Sequence, residues 1–162
     1  AAKTMNFLTE HGISSYGELE SKLTAISARR DTAHAEIKRI ESRSAELTLV
    51  MKHAGTYRQL KPLYDRYRKS NDKEKFLRGH ESEIILFEAA ARELKRLGAV
   101  PLPTTESMKT ELANLNAEKE RLLAEYKTAR TEAQEYDTVK QNVDALLTVP
   151  KEQEQQRRHE LE

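Results

Sequence analysis

The chain has 162 residues, 34% charged and 37% hydrophobic, with a net charge of +1 and a mean hydropathy of −0.82. It has no cysteine, so a disulfide framework and a thiolate metal site are excluded, which fits a reducing, cytoplasmic setting. Five Gly and four Pro among so many charges describe long helices with narrow apolar seams, and no apolar run approaches the ~18 residues of a membrane span.

Residues 1–16 read as an entry helix and linker, with a short helix over 3–11, a stop at Gly12, and Ser14 or Ser15 opening the next helix. The chain opens on Ala rather than Met, which is consistent with a piece of a longer protein. Residues 17–55 carry Leu19, Leu23, Ile26, Arg30, Ala33, Ile37, Ile40, Ser44, Leu47, Met51 and Ala54 at alternating spacings of three and four. All but Arg30 and Ser44 are apolar, so this is a first long coiled-coil helix.

Residues 56–98 form a basic and aromatic helical cluster. A helix over 58–69 carries Leu60, Leu63, Tyr64 and Tyr67, with Pro62 expected in its first turn, where a missing amide costs little. Asn71 or Asp72 caps the next helix, which has the widest apolar face in the chain: Phe76, Leu77, Ile84, Ile85, Phe87, Ala91, Leu94 and Leu97. Gly98 is placed as its C-terminal cap.

Residues 99–104 are a connector in which Pro101 and Pro103 impose extended backbone, and Thr104 or Thr105 caps the second long helix. Residues 105–149 hold the second seam: Met108, Leu112, Leu115, Lys119, Leu122, Tyr126, Ala129, Ala133, Tyr136, Lys140, Val143 and Leu147. Pro150 is expected to end it. Residues 150–162 lack apolar periodicity and read as a disordered tail, its last two residues, Leu161 and Glu162, set aside as a candidate vector remnant.

Two seams of similar length predict an all-α fold, a long antiparallel helical hairpin with a small helical cluster at one end. Leu19 is expected at the level of Leu147 and Met51 at that of Leu115, with Ala33, Ala129 and Ala133 leaving room for Tyr126 and Tyr136. Intramolecular pairing, hence a monomer, is favoured by the tether's effective concentration; a parallel homodimer is the alternative.

No catalytic constellation emerges. The five histidines do not pair at metal-ligand spacing, HESE at His80 reads as a solvated face, and no phosphate-cradling glycine loop is present. The expectation is a non-enzymatic chain with no cofactor and no metal. Charge is nevertheless uneven: nine Lys and Arg face three Asp and Glu over 52–78, whereas nine face thirteen over 106–162. Arg58, Lys61, Arg66, Arg68, Lys69, Lys73, Lys75 and Arg78 are therefore candidate phosphate contacts, with tyrosines available for base stacking. The competing reading buries Tyr57, Tyr64 and Tyr67 and leaves the cations as a solvated exterior.

The order NFLTEHGISSYGELE, a long charged helix, YRQLKPLYDRYRKSNDKEKFLRGHESEIILFEAAARELK and a second helix ending in VDALL resembles the C-terminal region of relaxases. These are the mobilisation nucleases of conjugative transposons and mobilisable plasmids in Gram-positive gut bacteria. The family nicks DNA with a tyrosine and a histidine-held metal in an N-terminal domain. None of that machinery matches residues of this chain, so the resemblance implies a helical region after the nuclease. Its implied partners are single-stranded DNA and relaxosome or coupling proteins. The alternative is a structural coiled-coil module that contacts proteins and no nucleic acid.

Overall fold

The computed structural model describes residues 1–161, with the side chains of 149–154 left aside. The fold is all-α, with a long antiparallel hairpin and a small helical cluster: α1 (Ala2–Glu10), α2 (Tyr16–Lys69), α3 (Lys73–Arg96) and α4 (Thr105–Leu161). The chain forms two compact units, one from Ala1–Ile37 with the segment from Glu120 onward, the other from Lys38–Lys119. α2 and α4 contribute to both.

In the first unit, the start of α2 pairs with the later part of α4. Gly12 ends α1 in the left-handed region at φ +65°, where a side chain would be strained. The Ser15 hydroxyl accepts from the Glu18 amide at 3.1 Å, and the Glu18 carboxylate accepts from the Ser14 amide at 2.8 Å. These two bonds satisfy amides at the start of α2. The core gathers Phe7, Ile13, Leu19, Ile26, Ala133, Tyr136 and Val139, flanked by Leu8, Leu23 and Val143.

Cross-links fix the antiparallel direction there: Tyr16 donates to Asp144 at 2.6 Å, and Arg29 meets Glu132 at 3.1 Å. Leu19 therefore lies beside Val139 and Val143, and Leu147, expected opposite it, is 57% exposed. The register here differs from the expected one, and α1 packs into this unit. The Phe7 ring stands edge-on to Tyr136 at 5.0 Å, and Asn142 donates to the Thr4 hydroxyl at 3.3 Å.

In the second unit, α2, α3 and the first turns of α4 enclose Ile40, Leu47, Val50, Ala54, Leu63, Ile84, Phe87, Ala90, Leu94, Met108 and Leu115. Arg43 grips Glu111 through two bonds of 2.7 and 3.0 Å. Arg39 and Glu118 approach to 3.8 Å. Continuing the antiparallel run, Met51 falls toward the start of α4 rather than beside Leu115. The Arg43 guanidinium holds the Glu111 carboxyl below the ordinary carboxylate range, chiefly through the hydrogen bond.

Caps fall where sequence placed them. Asp72 accepts from the Lys75 amide at 3.1 Å, Thr104 from the Ser107 amide at 3.1 Å, and Gly98 takes φ +70° after α3.

Two helix boundaries differ from the sequence reading. α2 does not stop at Gly55 or restart before Pro62; it runs unbroken through both. An interior proline removes one backbone bond, here the one to the Arg58 carbonyl, and both Arg58 and Pro62 lie on an exposed face of the helix, where the loss costs less than in a buried one. Leu63 and Tyr64 beside it pack inward, Tyr64 stacking on Phe87 at 4.3 Å, and hold the helix together. At the other end, α4 passes the stop expected at Pro150 and continues to Leu161, in place of a disordered tail. The run after Pro150 is rich in Lys, Glu, Gln and Arg, which are strong helix formers. Glu162 lies outside the described residues.

Candidate nucleic-acid interface

The basic stretch occupies the last turns of α2, the Ser70–Asp72 turn and the first turns of α3, all within the second unit. A small hydrogen-bonded loop sets this turn: Ser70 donates its hydroxyl to the Asp72 carbonyl at 3.1 Å and accepts from the Asp72 amide at 3.2 Å. The Tyr67 and Phe76 rings, 6.0 Å apart, close α2 onto α3 just behind it.

All eight candidate cations are exposed, but they divide into two groups. Arg58 is tied down, donating to the Thr105 hydroxyl and to the Pro103 carbonyl, so it braces the connector before α4. Lys61 pairs with Asp65 one turn along α2 at 3.2 Å. For Arg66, Arg68, Lys69, Lys73, Lys75 and Arg78 there is no side-chain hydrogen bond or ion pair among the described residues. These six flank one three-residue turn.

Their placement is asymmetric in energy. Arg66, Arg68 and Lys69 sit in the last turn of α2, where cations oppose the negative end of the helix dipole favourably. Lys73 and Lys75 sit at the start of α3, where the dipole disfavours them and only Asp72 and Glu74 offset it. The turn thus concentrates positive charge beyond what helix stability asks for.

The tyrosines are partly core. Tyr57, Tyr64 and Tyr67 are half-buried, and Tyr57 and Tyr64 both stack on Phe87 from α3, at 4.8 and 4.3 Å. They are fixed walls rather than free rings. Beside them a cleft of about 380 Å³ opens between α2 and α3, to which α3 contributes Phe87, Glu88, Ala91 and Arg92. Sequence reasoning assigned none of these four to the site. The only trace in the sequence is the i, i+4 spacing of Phe87 and Ala91, which marks an inward face and says nothing of a cleft.

α3 is kinked at His80, whose backbone leaves the helical region at φ −136°, ψ 26°. Its ring lies 4.7 Å from Phe76, and its buried Nδ1 lies 3.8 Å from a Glu83 oxygen, beyond hydrogen-bonding reach. Among the described residues no group of three or more His, Asp or Glu is placed to hold a metal ion, and no helix is long and apolar enough to cross a membrane. Comparison of the chain with protein-family models, curated proteins and solved structures finds no match.

Proposed function

We propose that this chain is a non-catalytic helical module that binds single-stranded DNA through the α2–α3 turn, as an accessory region of a relaxase in conjugative DNA mobilisation. One observation carries the binding: six exposed cations without side-chain partners among the described residues are gathered around one turn. The DNA backbone supplies the regularly spaced anions that such a cluster lacks. The relaxase setting rests on the sequence resemblance alone. Binding to labelled single-stranded DNA should weaken steeply with salt, because phosphate contacts release condensed counterions. Affinity indifferent to salt would remove the proposal.

A second reading, a module that docks protein partners such as relaxosome or coupling proteins, draws on the first unit. Met5, Leu146 and Leu147 are 60, 52 and 57% exposed there, apolar side chains that a protein partner would cover. Polar substitution of Leu146 and Leu147 that abolished capture of a transfer protein while sparing DNA binding would favour it.

A further inference from the structure

Two clefts run along the line where α2 meets α3, and both are lined by Tyr57 and Ala91. The first has aromatic walls from Tyr57, Tyr64 and Phe87 and a rim of Lys61, Arg68 and Arg92. The second, about 590 Å³, continues to Leu94, Val100 and Leu102, with Lys95 at its edge. Arg68 belongs both to the first cleft and to the basic turn, so the charged surface runs into the aromatic one without a break.

We propose that the first cleft is a base subsite, in which an unstacked base of a single strand lies against Tyr57 and Tyr64 while its flanking phosphates reach Arg68 and Arg92. The proposal rests on the nucleic-acid reading above and adds strand selectivity to it. A volume of about 380 Å³ lies within the range of about 300–1,000 Å³ typical of small-ligand sites. The walls are already ordered by stacking on Phe87, so a base finds them without a further loss of side-chain freedom.

Two carboxylates also line this cleft. Asp65 is held by Lys61 at 3.2 Å. Glu88 repels a phosphate and accepts from a base N–H, which sets the strand with bases inward and phosphates at the rim. A duplex keeps its bases paired and stacked, so it reaches the cations and leaves the cleft empty.

The test compares an oligothymidylate with an abasic deoxyribose-phosphate strand of the same length, by fluorescence anisotropy at one salt concentration. The abasic strand should bind about tenfold more weakly or worse, as expected for lost stacking, with an unchanged salt slope because the phosphates are the same. Ala91→Phe, which fills space lining both clefts, should bring thymidylate affinity down to the abasic level and leave abasic binding alone. Circular dichroism checks that this variant folds; if it does not, the two strands on the unaltered chain still decide. Equal affinity of the two strands overturns the base subsite and leaves the cleft to an apolar side chain of a protein partner, while salt-sensitive binding by the turn stands. Failure of both strands to bind overturns the nucleic-acid reading as well.

Discussion

Replacing Phe87 with leucine asks whether the tyrosines of the basic stretch are held by the core. Phe87 is 5% exposed, and its ring stacks on both Tyr57 and Tyr64 at an interplanar angle of 26°. Leucine keeps an apolar side chain at the site but loses both ring contacts. Each such pair contributes about 0.5–1.5 kcal/mol beyond area burial, so the expected loss is about 1–3 kcal/mol. The volume shed by the substitution adds to this with the same sign. Urea unfolding monitored by helical circular dichroism should show a lower midpoint with an unchanged slope. Iodide should then quench tyrosine fluorescence more efficiently in the folded variant. A midpoint equal to that of the unaltered chain would refute the stack and return the tyrosines to solvent.

Arg58→Gln should lower stability by about 1 kcal/mol, because exposed hydrogen bonds to the connector are lost, and should leave the salt dependence of DNA binding unchanged. A flatter salt slope would put Arg58 among the phosphate contacts. Leu122→Ala, at a site 6% exposed, should cost about 2–5 kcal/mol, whereas Leu147→Ala should stay within about 0.5 kcal/mol of neutral. Equal losses measured by calorimetry would contradict the hairpin register. Glu111 and Glu18 have carboxyls held below their ordinary range, by Arg43 and by Ser14 respectively. Their stabilisation is therefore complete above the ordinary carboxylate range and is lost as pH falls through the depressed values. Thermal midpoints should fall on acidification, and Glu111→Gln should flatten that decline; an unchanged profile would deny the ion pair a role.

Much of the fold was legible because one rule governs both long helices. Every seam residue from Leu19 to Ala54 and from Met108 to Val143 is buried or half-buried, including Arg30, Ser44, Lys119 and Lys140. Spacing by three and four reports a helical face regardless of which side chain occupies one position. The register was not legible, since spacing by three and four marks the buried face of each helix and leaves open which residue of one seam stands opposite which of the other. Pro62 misled because its local penalty is outweighed by Leu63 and Tyr64 packing on α3, a contact between residues far apart in sequence.

The basic stretch was visible from composition alone, but its division was not. That Arg58 braces a connector while Arg66 through Arg78 flank a turn depends on which carbonyls and hydroxyls lie within reach. The cleft was hidden for the same reason, since Tyr57 and Tyr64 meet Phe87 and Arg92 only once α3 folds back on α2.

The central claim, that the α2–α3 turn binds the phosphate backbone of a single strand, is met most directly by one salt titration. Each phosphate contact on a single strand contributes a slope of about −0.7 in log affinity against log salt, so six give about −4. The variant carrying Arg66→Gln, Arg68→Gln and Lys69→Gln should show about −2, with weaker binding at every salt concentration. Identical slopes and affinities for the two proteins would contradict the account.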